Sequence, residues 1–575
     1  MICSVNNLTI KLREGSSSRT IIRDISFSLE PGVSTGIVGE SGSGKTITAL
    51  SLLKLLPPGM HISKGQIRWH GSNARDVDLA TLEEKGFQQI RGRQIAMIFQ
   101  EPMTSLNPSR RCGWQIREAV SLHSGASLKR ATSQTLQLLK EVHLPADMVF
   151  YNKYPHQLSG GQRQRIMIAM ALAGNPSLLI ADEPTTALDV TVQKKILDLL
   201  DEIRMNRGMS MLFISHDLGV IRQICDNALV MYQGEVVESG RVVDLFDDPK
   251  HPYTRGLISC RPMLESNLAR LPTLADFLSS GQEVKQPDRR HPEPGQTVNK
   301  PETRTATPGQ SQQEEIPLLE VSDLHTRYVL KKSFFGKQLH SLEAVDSVSF
   351  HVYQGETLGL IGESGCGKST LGRTLIGLIR ARKGEIKYKG ESVTQLRGKK
   401  LNEYRRKVQF IFQDPFSSLN PTLKTGPSIM EVMRVHGIYS ARKQRQEAAL
   451  GLLDDVGLPG ESFNRYPHEF SGGQRQRIGL ARALATGPEL IICDESVSSL
   501  DVSVQAQILN LLNELKDKLK LTYIFISHDL AVVKYMAARI LVMKDGRLVE
   551  QGPSSDLFLH PETDYLRELI DAILE

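Results

Sequence analysis

The sequence predicts an α/β fold made twice over, and three observations predict it. A block of motifs recurs along the 575 residues at a nearly constant spacing. Each copy sets a glycine-rich loop between a strand-like apolar run and a helix-like run. Each also carries short apolar runs that end in carboxylates or in histidine, the pattern of buried parallel strands with polar chemistry at their carboxyl ends.

The repeat is read first. Gly39-Glu40-Ser41-Gly42-Ser43-Gly44-Lys45-Thr46 returns as Gly362-Glu363-Ser364-Gly365-Cys366-Gly367-Lys368-Ser369. Phe99-Gln100 returns as Phe412-Gln413, and Leu158-Ser159-Gly160-Gly161-Gln162 as Phe470-Ser471-Gly472-Gly473-Gln474. Asp182-Glu183 matches Asp494-Glu495, and Ser215-His216-Asp217 matches Ser527-His528-Asp529. Ser159 and Ser471, Glu183 and Glu495, and His216 and His528 are each 312 residues apart, whereas Lys45 and Lys368 are 323 apart. The first copy therefore has extra residues before Gln100, and the stretch around Gly71 to Gly92 is expected to be a surface insertion.

Between the copies, Ser279 to Glu315 is rich in proline, glutamine and threonine and nearly free of large apolar residues. Such a stretch buries too little surface to offset its ordering entropy, which predicts a flexible linker. The expected domains are residues 1–262, a C-terminal extension and linker over 263–316, and a second copy over 317–575.

Bulk composition narrows the class. Hydrophobic residues make up 40% and charged residues 23%, ordinary for a water-soluble chain. No apolar run reaches the eighteen or so residues of a membrane span, and the start lacks the apolar core of a signal peptide. The expected place is the cytoplasm, with any membrane work done through partner subunits. Six scattered cysteines without a CxxC pair argue against a zinc site or a disulfide framework. A net charge of +6 on this length reads as a solvated basic surface.

Each element then has a chemical reason. Ser34 to Val38 reads as a buried strand and Ile47 to Leu56 as a helix, so the loop between them is a P-loop in its proper context. Its glycines turn backbone N–H groups toward phosphate oxygens, and the helix N-terminus adds partial positive charge. Lys45 is expected to bridge the β- and γ-phosphates and Thr46 to ligate Mg²⁺; Lys368 and Ser369 fill these places in the second copy. Leu178 to Ala181 reads as a strand delivering Asp182 to the Mg²⁺ shell and Glu183 as the base for an attacking water, repeated by Asp494 and Glu495. Met211 to Ser215 is a further strand, aiming His216, and in the second copy His528, at the γ-phosphate. Ser159-Gly160-Gly161 precedes a helix-like run from Gln162 to Leu172, a second anion-binding N-terminus.

These residues together resemble the ABC-transporter ATPase family. The glycine-rich loop alone fits many P-loop proteins; the Ser159-Gly160-Gly161-Gln162 signature is far more specific, and the likeness covers nearly the whole chain outside the linker. It implies two ABC-type P-loop NTPase domains, each with a mixed-sheet core and a helical subdomain, arranged as an intrachain pseudo-dimer with ATP and Mg²⁺ at two composite sites. One would join Lys45, Gln100, Asp182, Glu183 and His216 with Ser471, Gly472, Gly473 and Gln474. The other would join Lys368, Gln413, Asp494, Glu495 and His528 with Ser159, Gly160, Gly161 and Gln162. Gln100 and Gln413 match the family loop that touches Mg²⁺ and water, and Asp189 and Asp501 match the loop that couples the sites.

Gln100 to Pro108, Ala187 to Gln193 and His251 to Arg255 look like the peptide/nickel importer group, which handles oligopeptides, dipeptides, glutathione or nickel. That likeness implies an ATPase peripheral to the cytoplasmic face of the inner membrane, with two permease subunits and an external solute-binding protein. Two departures stand out. The family stacks adenine on an aromatic residue, a place filled by Tyr328 in the second copy and by Leu12 in the first, so weaker ATP binding is expected at the Lys45 site. Relatives with an iron–sulfur centre use about four thiolates, whereas Cys260 stands alone in its region, so no cluster is expected. The rival reading is a soluble twin-domain ATPase acting on ribosomes. Its long basic helical linker has no counterpart in this near-neutral, proline-rich one, and no nucleic-acid partner is expected.

Overall fold

The computed structural model describes residues 1–573 apart from 16, 72–75, 101–104, 187, 265–267, 279–315, 333–337, 415–417 and 499. The linker expected from Ser279 to Glu315 lies outside the described residues, as do parts of the two glutamine loops. The chain divides into two compact units. The first holds Met1–Ser259 and Leu274–Ser279, the second Cys260–Thr273 and Ser280–Ile573.

The first unit has two sheets. An antiparallel sheet takes β1 (Cys3–Glu14), β2 (Ser17–Leu29), β4 (Met60–Trp69) and β5 (Val77–Asp78) in the order β2-β1-β4-β5. The other contains β3 (Ser34–Val38), β6 (Ile95–Ile98), β7 (Leu178–Asp182), β8 (Ser210–Ser215), β9 (Asn227–Tyr232) and β10 (Glu235–Arg241), ordered β10-β9-β3-β8-β7-β6. All its pairings are parallel except that of β10 with β9, so it is mixed, as expected. Every residue of β3, β7 and β8 is buried, which explains why these strands read as continuous apolar runs instead of alternating ones. Between β6 and β7 the chain forms the helices Cys112–Ser124, Leu128–Glu141 and Gly160–Ala171, the helical part of the unit.

The second unit repeats this plan. Its antiparallel sheet is β12-β11-β14-β15, from β11 (Leu319–Lys332), β12 (Gln338–Val352), β14 (Lys383–Tyr388) and β15 (Glu391–Ser392). Its mixed sheet is β16-β17-β18-β13-β19-β20, from β13 (Thr357–Ile361), β16 (Val408–Ile411), β17 (Leu490–Asp494), β18 (Thr522–Ile526), β19 (Arg539–Lys544) and β20 (Arg547–Pro553). Leu271 is buried and held on this unit. Asn510 accepts a hydrogen bond from the Leu271 N–H at 2.9 Å and donates to the Leu271 carbonyl at 2.8 Å.

Three expectations need adjusting. The helix after the first P-loop spans Lys45–Leu52, starting and ending earlier than the apolar run suggested. The signature helix begins at Gly160, so its glycines form the first turn instead of preceding it. The stretch from Gly71 to Gly92 is not a simple surface insertion. Leu79, Phe87 and Ile90 are buried in the core with Trp69, because the helix Glu84–Phe87 turns its apolar side inward. Extra length in one copy says nothing about which of its residues face the core.

Candidate active sites

Strand order places the motifs. In the first mixed sheet β3, β8, β7 and β6 are consecutive neighbours, so the P-loop after β3, His216 after β8, Asp182-Glu183 at the end of β7 and Gln100 after β6 emerge along one edge. The order β13, β18, β17, β16 does the same in the second unit. Residues more than a hundred positions apart thereby become hydrogen-bonded.

The P-loop depends on glycine where the backbone requires it. Gly39 has φ +155° and a Cβ there would lie 2.2 Å from the Met231 carbonyl oxygen; Gly44 has φ +104° and caps the helix Lys45–Leu52. Lys45 is buried, and its ammonium donates to the carbonyls of Gly39 at 2.7 Å and Glu40 at 2.9 Å. Lys368 does the same to Gly362 at 2.6 Å and Glu363 at 2.8 Å. Thr46 Oγ1 donates to Asp182 Oδ1 at 3.1 Å, and Ser369 Oγ to Asp494 Oδ1 at 2.7 Å.

These hydroxyl–carboxylate pairs fit a divalent ion. Burial raises Asp182 to about 6, with the Glu183 charge adding to it against the pull of the Thr46 hydrogen bond and Lys45. Burial raises Asp494 as well, and its Oδ2 is a buried oxygen with no hydrogen-bond partner. A cation held by these oxygens would offset the cost of burying the charge.

Glu183 and Glu495 occupy the left-handed backbone region at φ +45° and +46°. Holding a non-glycine residue there costs on the order of 1–3 kcal/mol and turns its carboxylate away from the strand path. Gln100 Nε2 donates to Glu183 Oε2 at 2.9 Å, and Thr186 Oγ1 donates to the same oxygen at 2.9 Å. His216 Nδ1 lies 3.2 Å from it. Burial works against the charge on Glu183, but the His216 hydrogen bond and charge, aided by Thr186 and Lys45, prevail and hold it near about 2. In the second unit Gln413 Nε2 donates to Glu495 Oε2 at 2.6 Å and His528 Nδ1 lies 3.5 Å from Oε1. Burial favours the neutral imidazole of His528, yet the Glu495 carboxylate wins and raises it. Each glutamate is thus an ionised acceptor beside an amide and an imidazole, placed to accept a hydrogen bond from a water and orient it.

The signature residues are built differently. Ser159 Oγ accepts from the Gln162 N–H at 3.3 Å while Gln162 Oε1 accepts from the Ser159 N–H at 3.2 Å, a reciprocal capping box. Ser471 and Gln474 repeat it at 3.4 and 3.1 Å. Ser159, Gly160 and Ser471 are exposed. A Cβ on Gly161 would lie 2.6 Å from Val192, and one on Gly473 2.2 Å from Val504, so these glycines let two helices pack closely. Asp189 caps the helix Val190–Arg207 by accepting from the Val192 N–H at 2.9 Å. Asp501 is the N-cap residue of the matching helix Val502–Leu519. Tyr328 is 36% exposed with its hydroxyl 3.4 Å from Thr370 Oγ1; Leu12 is half-buried.

Two residues at the loops were given no site role by the sequence reading, although Tyr253 lies in the His251 to Arg255 stretch it singled out. Tyr253 Oη accepts the Glu40 N–H at 2.9 Å, and Tyr565 Oη accepts the Glu363 N–H at 2.9 Å. The tyrosines are 312 residues apart, the spacing of the Ser159, Glu183 and His216 pairs, and that shared offset is the signal that identifies them.

Comparison with known proteins decides the family. The ABC transporter family profile matches residues 22–186 and 345–498. The chain belongs to the ABC transporter family. It is an ATPase coupled to transport, with two ATP-binding cassettes. Residues 237–286 match a second profile, the oligopeptide/dipeptide transporter C-terminal region. The glutathione import ATP-binding protein GsiA of Salmonella paratyphi A is 44% identical over 574 residues, covering 100% of this chain and 89% of that protein. GsiA of Pectobacterium atrosepticum is 43% identical over 573 residues, and that of Escherichia coli O157:H7 44% over 578, with the same coverage. Among solved structures, the ADP- and phosphate-bound dimer of the cassette MJ0796 is 27% identical with a TM-score of 0.37, covering 42% of this chain and 99% of that one. The glutathione import ATP-binding relatives and the oligopeptide/dipeptide transporter region favour the transporter reading over the ribosome-acting one.

Proposed function

We propose that this ABC ATPase energises import of a small peptide-like solute, with glutathione the first candidate, through two membrane permease subunits fed by an external solute-binding protein. The observation that carries the reading is likeness over the full length to glutathione import ATP-binding proteins, joined to the oligopeptide/dipeptide transporter region after the first cassette. The ATPase then sits on the cytoplasmic face of the inner membrane. No helix among the described residues is long and apolar enough to cross a membrane, which fits a subunit that works through partners.

The same reading assigns the chemistry. Lys45 and Lys368 exchange their carbonyl partners for the β- and γ-phosphates, and the P-loop amides and helix N-termini bind the remaining charge. Thr46 and Asp182, and Ser369 and Asp494, with Gln100 and Gln413 beside them, would hold Mg²⁺, which would supply charge neutralisation on the phosphates. Glu183 and Glu495 take the proton of the attacking water, and His216 and His528 turn to the γ-phosphate. The exposed signature serines cap the nucleotide of the opposite cassette, making the chain its own pseudo-dimer. ATP then favours a closed state and hydrolysis releases it, driving the permeases between conformations.

The test is reconstitution of the chain with its candidate permeases and binding protein in vesicles. ATP-dependent uptake of labelled glutathione is expected, along with its loss in the Glu183→Gln, Glu495→Gln double variant. Uptake of nickel or longer peptides but not glutathione would replace the cargo. Near-normal ATP hydrolysis by the double variant would remove the role given to the two glutamates.

A further inference from the structure

We infer that Tyr253 and Tyr565 are positioning residues that hold the phosphate loops in binding shape from the C-terminal helix of each cassette. The inference rests on the reading that ATP occupies these loops.

Both tyrosines are buried, Tyr253 completely. Each presents only its hydroxyl oxygen to the loop, accepting the N–H of the residue after the first loop glycine, Glu40 or Glu363, at 2.9 Å in both cassettes. The carbonyl of that same residue is taken by the loop lysine, at 2.9 Å from Lys45 and 2.8 Å from Lys368. Each glutamate thus has its two backbone polar groups tied to different side chains. When the lysine moves to a phosphate, the carbonyl keeps the Ser43 or Cys366 N–H at 3.1 or 3.3 Å, and the tyrosine still holds the N–H on the other side of the residue.

The tyrosines are themselves held by matching devices. Glu238 on β10 accepts the N–H groups of Lys250 and His251 at 2.7 and 3.0 Å, fixing the turn into the helix Pro252–Ser259 that carries Tyr253. Glu550 on β20 accepts the N–H groups of Glu562 and Thr563 at 2.9 and 3.1 Å, just before the helix Asp564–Asp571 that carries Tyr565. Glu238 and Glu550 are again 312 residues apart, so the brace is a unit duplicated with the cassette. Ring packing adds a fixed seat, with Tyr232 at 4.2 Å from Tyr253 and the Lys544 ammonium 4.5 Å from the Tyr565 ring. In the first cassette the brace lies inside the region shared with oligopeptide/dipeptide transporters.

Replacing Tyr565 by Phe keeps the packing and removes only the acceptor. In full-length protein with Lys45→Ala silencing the first site, Tyr565→Phe is expected to weaken MgATP binding about tenfold, the equivalent of one net hydrogen bond. Adenosine, which has no phosphate to meet the loop, should bind as before, and the melting temperature should stay within a few degrees. Tyr253→Phe in a Lys368→Ala background should behave alike. ATP affinity within twofold of the parent, or an equal loss for adenosine, would overturn the inference. Hydrogen exchange gives a check that needs no variant: the Glu40 and Glu363 amides should be protected without nucleotide, and fast exchange there would also overturn it. Failure of the parent proteins to bind ATP at all would instead strike the reading of the sites.

Discussion

The two cassettes share the residues proposed to hydrolyse ATP and differ in what surrounds them. Lysine, carboxylates, histidine and glutamine recur with matching hydrogen bonds in both. At the place where adenine stacking is expected, on β1 the first has Leu12 and on β11 the second has Tyr328. One turn after Thr46 the first has Leu50, whereas one turn after Ser369 the second has Arg373, with its guanidinium 4.0 Å from Asp494 Oδ2. On the helix after the carboxylates the first has exposed Asp198, while the second has Asn510, buried and bonded twice to Leu271. An aspartate only accepts when ionised, whereas an amide matches both halves of a peptide group, so only the second cassette can hold a passing backbone in this way. The repeat keeps these groups and their hydrogen bonds while the residues around them differ.

The largest effect tests the shared part. Glu183→Gln and Glu495→Gln, made singly, should each remove about 10²- to 10⁴-fold of turnover at their own site. Single-turnover hydrolysis resolved by site should give equal losses, and a loss at one site only would show that the catalytic residues have diverged too.

Next in size is the clamp. Asn510→Asp removes the donor to the Leu271 carbonyl and places a charge in a buried position, a cost of about 2–3 kcal/mol. Thermal unfolding should shift down, and trypsin should cleave at Arg270 faster than in the parent. Asp198→Asn, at an exposed position, should change neither.

The stacking difference comes third. Tyr328→Leu should weaken nucleotide binding at the Lys368 site by about 1–3 kcal/mol, and Leu12→Tyr should strengthen it at the Lys45 site. Fluorescent ATP titration with one lysine replaced at a time measures both; equal parental affinities would break this part of the comparison.

The smallest effect is at the metal. Arg373 is partly exposed, so its repulsion of a divalent ion is screened. Arg373→Leu should tighten Mn²⁺ binding in the presence of ATP by about threefold, read by electron paramagnetic resonance, and Arg373→Lys should leave it unchanged.

Much of this was legible in the residues. The P-loops, the carboxylate strands and the signature helices depend on local order, so glycines, apolar runs and caps mark them directly. The repeat offset placed them in one frame and, applied to every aromatic, also leads to Tyr253 and Tyr565. Other features left no local mark. Phe87 and Ile90 look like ordinary insertion residues until the packing around Trp69 is seen. Gly161 reads as a phosphate glycine, yet its contact is Val192 on a neighbouring helix.

By itself, then, the sequence determined the duplicated P-loop architecture and pointed to the groups proposed to react, because a glycine turn, a buried strand or a helix cap is specified by neighbours a few residues away. Only the tertiary structure decided which amide Tyr253 satisfies, why Asn510 is buried and which residues of the insertion join the core. Those contacts join positions up to 239 residues apart. No short-range rule selects such partners, and the strand order and helix packing that bring them together do.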